Sequence, residues 1–141
     1  MAVAKWNTPS AVGSNIAGTT FNSLADGSTS AFVTYDNSTN LDLYASVALT
    51  FGSFTPTTGA SVTLRVHATQ STTVPTDTGA VGGGDTYTAP LTTSASSKIV
   101  VFPMVRLYPE SMRLQVTNNA GAAFAASGHT MTVRPYNESV T

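Results

Sequence analysis

Few side chains in this sequence can do acid–base, nucleophilic or metal chemistry, and those few are dispersed. The histidines are His67 and His129. Alternation through Val62-Thr63-Leu64-Arg65-Val66-His67 sends His67 outward beside Arg65, while His129 shares the parity of Met131 in the last apolar run. A Ser-His-Asp triad assembles through space, so chain order does not test it, yet no Gly-x-Ser-x-Gly elbow is present to hold a serine nucleophile. The chain has no cysteine, which excludes thiolate nucleophiles, thiolate metal sites and disulfides. Asp36, Asp42, Asp77 and Asp85 stand singly, without the alternating spacing that gathers oxygen ligands around calcium. Gly82-Gly83-Gly84-Asp85-Thr86 lacks the Gly-Lys-Ser/Thr ending and the following helix of a phosphate loop, and reads as a loop tip. We therefore expect no enzyme, no cofactor and no metal.

Residue types suited to contact rather than reaction are better represented. Arg65, Arg113 and Arg134 fall on the polar parity of three strand patterns and make up half of the 6 basic residues. Arginine is enriched at interfaces, where its fork takes paired hydrogen bonds, although a solvated strand face explains the same parity. Trp6 is the only tryptophan; it either plugs a groove of its own domain or anchors the chain to a neighbour. Tyr35, Tyr44, Tyr87, Tyr108 and Tyr136 offer aromatic faces for sugars, but they are dispersed along the chain and read as half-buried strand-end fillers. Asn37-Ser38-Thr39 and Asn137-Glu138-Ser139 fit the glycosylation pattern and read as turns.

Composition narrows the classes further. Only 9% of the 141 residues are charged, against roughly 25% in a typical soluble domain. A net charge of -1 leaves no basic stripe for phosphates, which argues against nucleic acid and against an anionic membrane surface. No stretch reaches the ~18 apolar residues of a membrane span, and Met1-Ala2-Val3-Ala4-Lys5-Trp6 lacks the apolar run of a signal peptide. The expectation is a product made in the cytoplasm, with a neutral, hydroxyl-rich surface suited to strands that pack or assemble.

The elements that would position these residues are strands. Residues 1–30 show no sustained period and read as an extended arm, with one short strand near Phe21, dispensable for folding through residue 20. Residues 31–141 read as one domain. Leu41, Leu43, Ala45, Val47, Leu49 and Phe51 alternate with polar or small partners up to Gly52. Val62 to Thr69, a short run near Tyr87, Met112 to Thr117 and Thr130 to Arg134 follow, with a long loop over 70–86. Lys98 to Leu107 is apolar on both faces, with Ile99, Val101 and Val105 on one and Val100, Phe102 and Met104 on the other. Pro103 cannot donate to a ladder and implies an edge or a bulge. About seven or eight short strands with turn-rich links predict an all-β antiparallel β-sandwich, jelly-roll-like rather than immunoglobulin-like.

Three segments carry a family resemblance: Thr39-Asn40-Leu41-Asp42-Leu43-Tyr44-Ala45, Asn118 through Gly128, and Thr132-Val133-Arg134-Pro135-Tyr136-Asn137. With the order of elements from about residue 30, they resemble small structural proteins of tailed-bacteriophage heads. The likeness is in particular to the capsid cement (decoration) proteins of short-tailed phages of Bordetella. That resemblance implies a jelly roll on the outer surface of a capsid, bridging major capsid protein subunits, with no catalytic residues. It also implies a virion location after synthesis in the bacterial cytoplasm. The expected partners are the major capsid protein and a second copy of the chain, a dimer being favoured over a trimer. The expected contact residues are Trp6 in the arm, Val100, Phe102 and Met104 on the two-sided strand, and Arg65, Arg113 and Arg134. A tail or fibre component and a carbohydrate-binding β-sandwich module are the competing readings.

Overall fold

The computed structural model describes residues 4–68 and 84–140, and the expected loop over 70–86 therefore lies mostly outside the described residues. The described residues form nine strands and no helix: β1 (Ala4–Trp6), β2 (Val33–Asp36), β3 (Tyr44–Phe54), β4 (Ser61–Ala68), β5 (Asp85–Pro90), β6 (Ser96–Arg106), β7 (Ser111–Asn119), β8 (Thr130–Tyr136) and β9 (Glu138–Val140). All pairings are antiparallel, in sheets ordered β2-β7-β4-β5, β6-β3-β8 and β1-β9. The larger two enclose one core, as the alternation predicts. Ala45, Val47, Leu49 and Phe51 of β3 face Val62, Leu64 and Val66 of β4 and Met112, Leu114 and Val116 of β7 across the sandwich, all of them buried.

The strands differ from the sequence reading in three informative places. Leu41 and Leu43 are exposed, because β3 begins only at Tyr44. At its other end β3 runs through Gly52 to Phe54 rather than stopping at the glycine. A Cβ on Gly52 would lie 2.1 Å from the Ser127 carbonyl oxygen, so the missing side chain lets another segment cross the strand closely.

The third difference lies in β6. The register jumps from Ala45 opposite Val105 to Val47 opposite Phe102, which leaves Pro103 and Met104 together opposite Ser46. This bulge turns Val100, Phe102 and Val105 all inward and leaves Ile99, Val101 and Met104 outside. Pro103 therefore occupies both of its expected settings, a bulge and an edge strand.

Residues 4–30 are joined to the domain. Asn7, Ser10, Gly13 and Ile16 donate their backbone N–H groups to the carbonyls of Asn137, Pro135, Val133 and Met131, at 2.8 to 3.1 Å. The arm thus lies along β8, touching it every third residue, and β1 pairs with β9 beyond its end. The expected strand near Phe21 is instead a run of turns whose purpose is burial: Ala17 and Phe21 enter the core, Phe21 beside Phe51. Residues 27–30 then pair with the outer edge of β7 and lead into β2.

Candidate interaction surface

The histidines are structural. His67 is buried on the outer side of β4, as its parity requires, but not open to solvent. The Gln115 amide donates to the Ser30 carbonyl at 3.1 Å, which turns its Oε1 toward His67 and makes His67 Nε2 the donor of the 3.1 Å bond between them. Burial holds the His67 pKa below its ordinary 6.5; the Gln115 bond opposes that shift and the Arg65 charge adds to it. His129 is buried beside Phe51 and Phe124; its Nε2 donates to the Ala125 carbonyl and its Nδ1 accepts from Gly52. Among the described residues no group of His, Asp and Glu is placed to hold a metal ion.

The side chains of both glycosylation-pattern asparagines are spent inside the fold. Asn37 is buried, donates to the carbonyls of Asp42 and Tyr108, each at 2.8 Å, and accepts from the Asp42 N–H. Asn137 donates to the Asp42 carboxylate at 2.7 Å and accepts from the Leu43 N–H. Together they clamp the entrance to β3 onto the end of β8, as turn-forming residues do.

The most distinctive surface is the outer face of β6-β3-β8. Register pairs stack across it in rows: Ile99–Thr50–Thr130, then Val101–Ala48–Thr132, then Arg106–Tyr44–Tyr136. Ile99 is 72% exposed, Val101 52% and Met104 55%, on a strand whose outer edge borders no other strand of its sheet. The face is otherwise small and hydroxyl-bearing, and its charges are Arg134 and Arg106, toward one end. Exposed β-branched and thioether side chains on a sparsely charged strand face are what a partner surface covers.

At the same end the structure assembles an aromatic corner. Tyr44 and Tyr136, dispersed in sequence, stack in register at 5.9 Å. Trp6 meets both edge-on, at 5.9 and 5.4 Å, while staying 57% exposed. Tyr136 donates its hydroxyl to the Pro103 carbonyl at the bulge, 2.8 Å away; burial first, then the Tyr44 and Glu138 side chains, raise its pKa and keep it a donor. Trp6, Pro9, Pro103, Met104 and Tyr136 line an open apolar groove of about 440 Å³.

The expected contact residues divide accordingly. Met104 and Trp6 are exposed and adjoin one groove. Val100 and Phe102 do not belong to a partner surface; the bulge leaves them core residues, Phe102 beside Tyr87. On the N-terminal side of Pro103 it is Ile99 and Val101 that are exposed. The three arginines do not share one face: Arg134 lies on β8, and Arg65 and Arg113 lie on the outer side of β4 and β7 in the other large sheet. Arg134 donates to the Ser10 carbonyl at 2.8 Å and so holds the arm. Arg113 lies over the Phe32 ring at 4.8 Å, on the other large sheet. Arg65 is half-buried there, its Nε without a hydrogen-bond partner among the described residues. No protein-family model matches this chain, and no curated protein or solved structure matches it.

Proposed function

We propose that this chain is a non-enzymatic structural protein of a phage virion, a cement protein that binds the outer capsid surface and bridges major capsid protein subunits. The observation that carries the proposal is the sparsely charged outer face of β6-β3-β8, with Ile99, Val101 and Met104 exposed along β6, an edge strand of its sheet among the described residues. Additive burial on such a face needs no charge pattern, and repetition over many copies turns modest affinity into a stable lattice. The resemblance of residues 39–45, 118–128 and 132–137 to cement proteins supplies the identity of the shell. A jelly roll is the fold we assign within the β-sandwich class. Strand order β2-β7-β4-β5 facing β6-β3-β8, with the arm beside β8 in the place of a further strand, supports that assignment.

Fractionation of purified virions into heads and tails, with quantitative mass spectrometry of each, tests the proposal. The expected result is co-purification with heads in a copy number comparable to the major capsid protein. Recovery with tails, or in a few copies, would establish the fibre reading instead. The aromatic corner favours one second reading, carbohydrate binding, because Trp6 exposes a ring beside polar Asn7 and Glu138. A glycan array that shows binding lost on Trp6→Ala would select it.

A further inference from the structure

Every side chain from Ala4 to Asn15 is exposed, so the arm is held almost wholly by its backbone. The four N–H donors at Asn7, Ser10, Gly13 and Ile16 recognise carbonyls of β8 and its end, and β1 pairs with β9 through main-chain bonds alone. Main-chain pairing does not distinguish which copy supplies the strand. The side-chain contacts of the arm are equally transferable: Asn15 Oδ1 accepts from the Met131 N–H, Arg134 donates to Ser10, and Trp6 leans on Tyr44 and Tyr136. Each joins the arm to the domain, and each forms unchanged with an identical domain.

The segment after the arm is anchored differently. Ala17 and Phe21 are buried, and between them Gly18 lies at φ +55°, with open space where a side chain would stand. Ala17 and Phe21 stay in the core while a change of direction between Ile16 and Ala17 redirects residues 4–16, which precede this anchor. Those residues reach about 45 Å when extended, enough to cross to an adjacent domain of this size. An arm that leaves exposes unpaired carbonyls along β8, an edge that accepts another strand. The geometry points to arm exchange: the partner that fits the β8 edge and β9 is the arm of a second copy of this chain. Exchange makes a tie between copies without a new interface, and concentration on any scaffold favours it over the internal arrangement.

The absence of cysteine makes the test clean. Lys5 and Ser139 are register partners, at a Cα spacing a disulfide spans. Lys5→Cys and Ser139→Cys chains are purified separately, checked for an unchanged circular dichroism spectrum, concentrated together and oxidised. The control mixture pairs Lys5→Cys with Thr58→Cys, an exposed site off the arm's path. The expected product is a heterodimer linked between positions 5 and 139, in about tenfold or greater excess over the control, as local pairing outruns random collision. Yield should rise with protein concentration. Cross-linking no better than the control, while a chain carrying both substitutions closes internally, would confine the arm to its own domain and overturn the inference. Failure of that doubly substituted chain to form any disulfide, internal or between copies, would overturn it as well, since β1 would then not pair with β9 at all. The experiment uses the purified chain alone, so its outcome is independent of the virion reading.

Discussion

At the residue scale, two buried polar groups make the sharpest predictions. His67 faces Gln115, Arg65 and the Phe32 ring, and register places it opposite Arg113, so a proton added to it meets cations and an apolar ring rather than a carboxylate. Its folded pKa lies below the unfolded value, so the unfolded chain binds the proton first as pH falls. The stability contribution is present above about pH 6.5 and is lost as pH drops through the depressed folded value. Urea midpoints measured from pH 7.5 to 5 should therefore fall for the natural chain and stay flatter for His67→Gln. Equal slopes would remove His67 from the account. Asn37→Ala strips partners from the Asp42 and Tyr108 carbonyls and the Asp42 N–H at once. Leaving such groups unsatisfied costs about 2–3 kcal/mol, which equilibrium urea unfolding resolves.

At the scale of elements, β6 and the arm separate packing from contact. Phe102→Ala should cost about 3 kcal/mol or more, because Phe102 fills the core. Ile99→Lys and Val101→Lys should change stability by less than about 0.5 kcal/mol and weaken binding to shells or to other copies. Loss of binding in Phe102→Ala alone, with both lysine variants unaffected, would move the contact surface elsewhere. For the arm, removal of residues 1–14 takes away exposed backbone hydrogen bonds and should lower unfolding free energy by about 2 kcal/mol while the sandwich persists. The cut through residue 20, expected from sequence to leave the fold intact, is not equivalent, since it also removes buried Ala17 and the Asn15 clasp.

At the scale of the whole molecule, sparse charge governs association. With 9% charged residues and a net charge of -1, the surface has little long-range field, and its leading candidate face is neutral along most of β6. Association through that face should persist in molar sodium chloride and strengthen in sulfate, which favours apolar burial. Sedimentation across a salt series measures this. A steep loss of binding with salt would instead assign the contact to charged groups, Arg106 and Arg134 at the end of this face or Arg65 and Arg113 on the other sheet.

Sequence alone determined the strand content, because period-2 alternation, read over 41–51 and 62–69 where the strands span 44–54 and 61–68, is a local property that burial of one face enforces. It also placed Pro103 at an edge or bulge, since a missing N–H is a local fact. Only the tertiary structure decided which apolar face of β6 is core, because the bulge opposite Ser46 reverses parity in mid-strand and depends on the register with β3. Only the tertiary structure gathered Trp6, Tyr44 and Tyr136, which no spacing announces, through antiparallel pairing of β3 with β8 and of the two chain ends. And the arm, aperiodic because its side chains point to solvent, acquired its course from the unpaired backbone of β8, whose carbonyls take hydrogen bonds from any residue type.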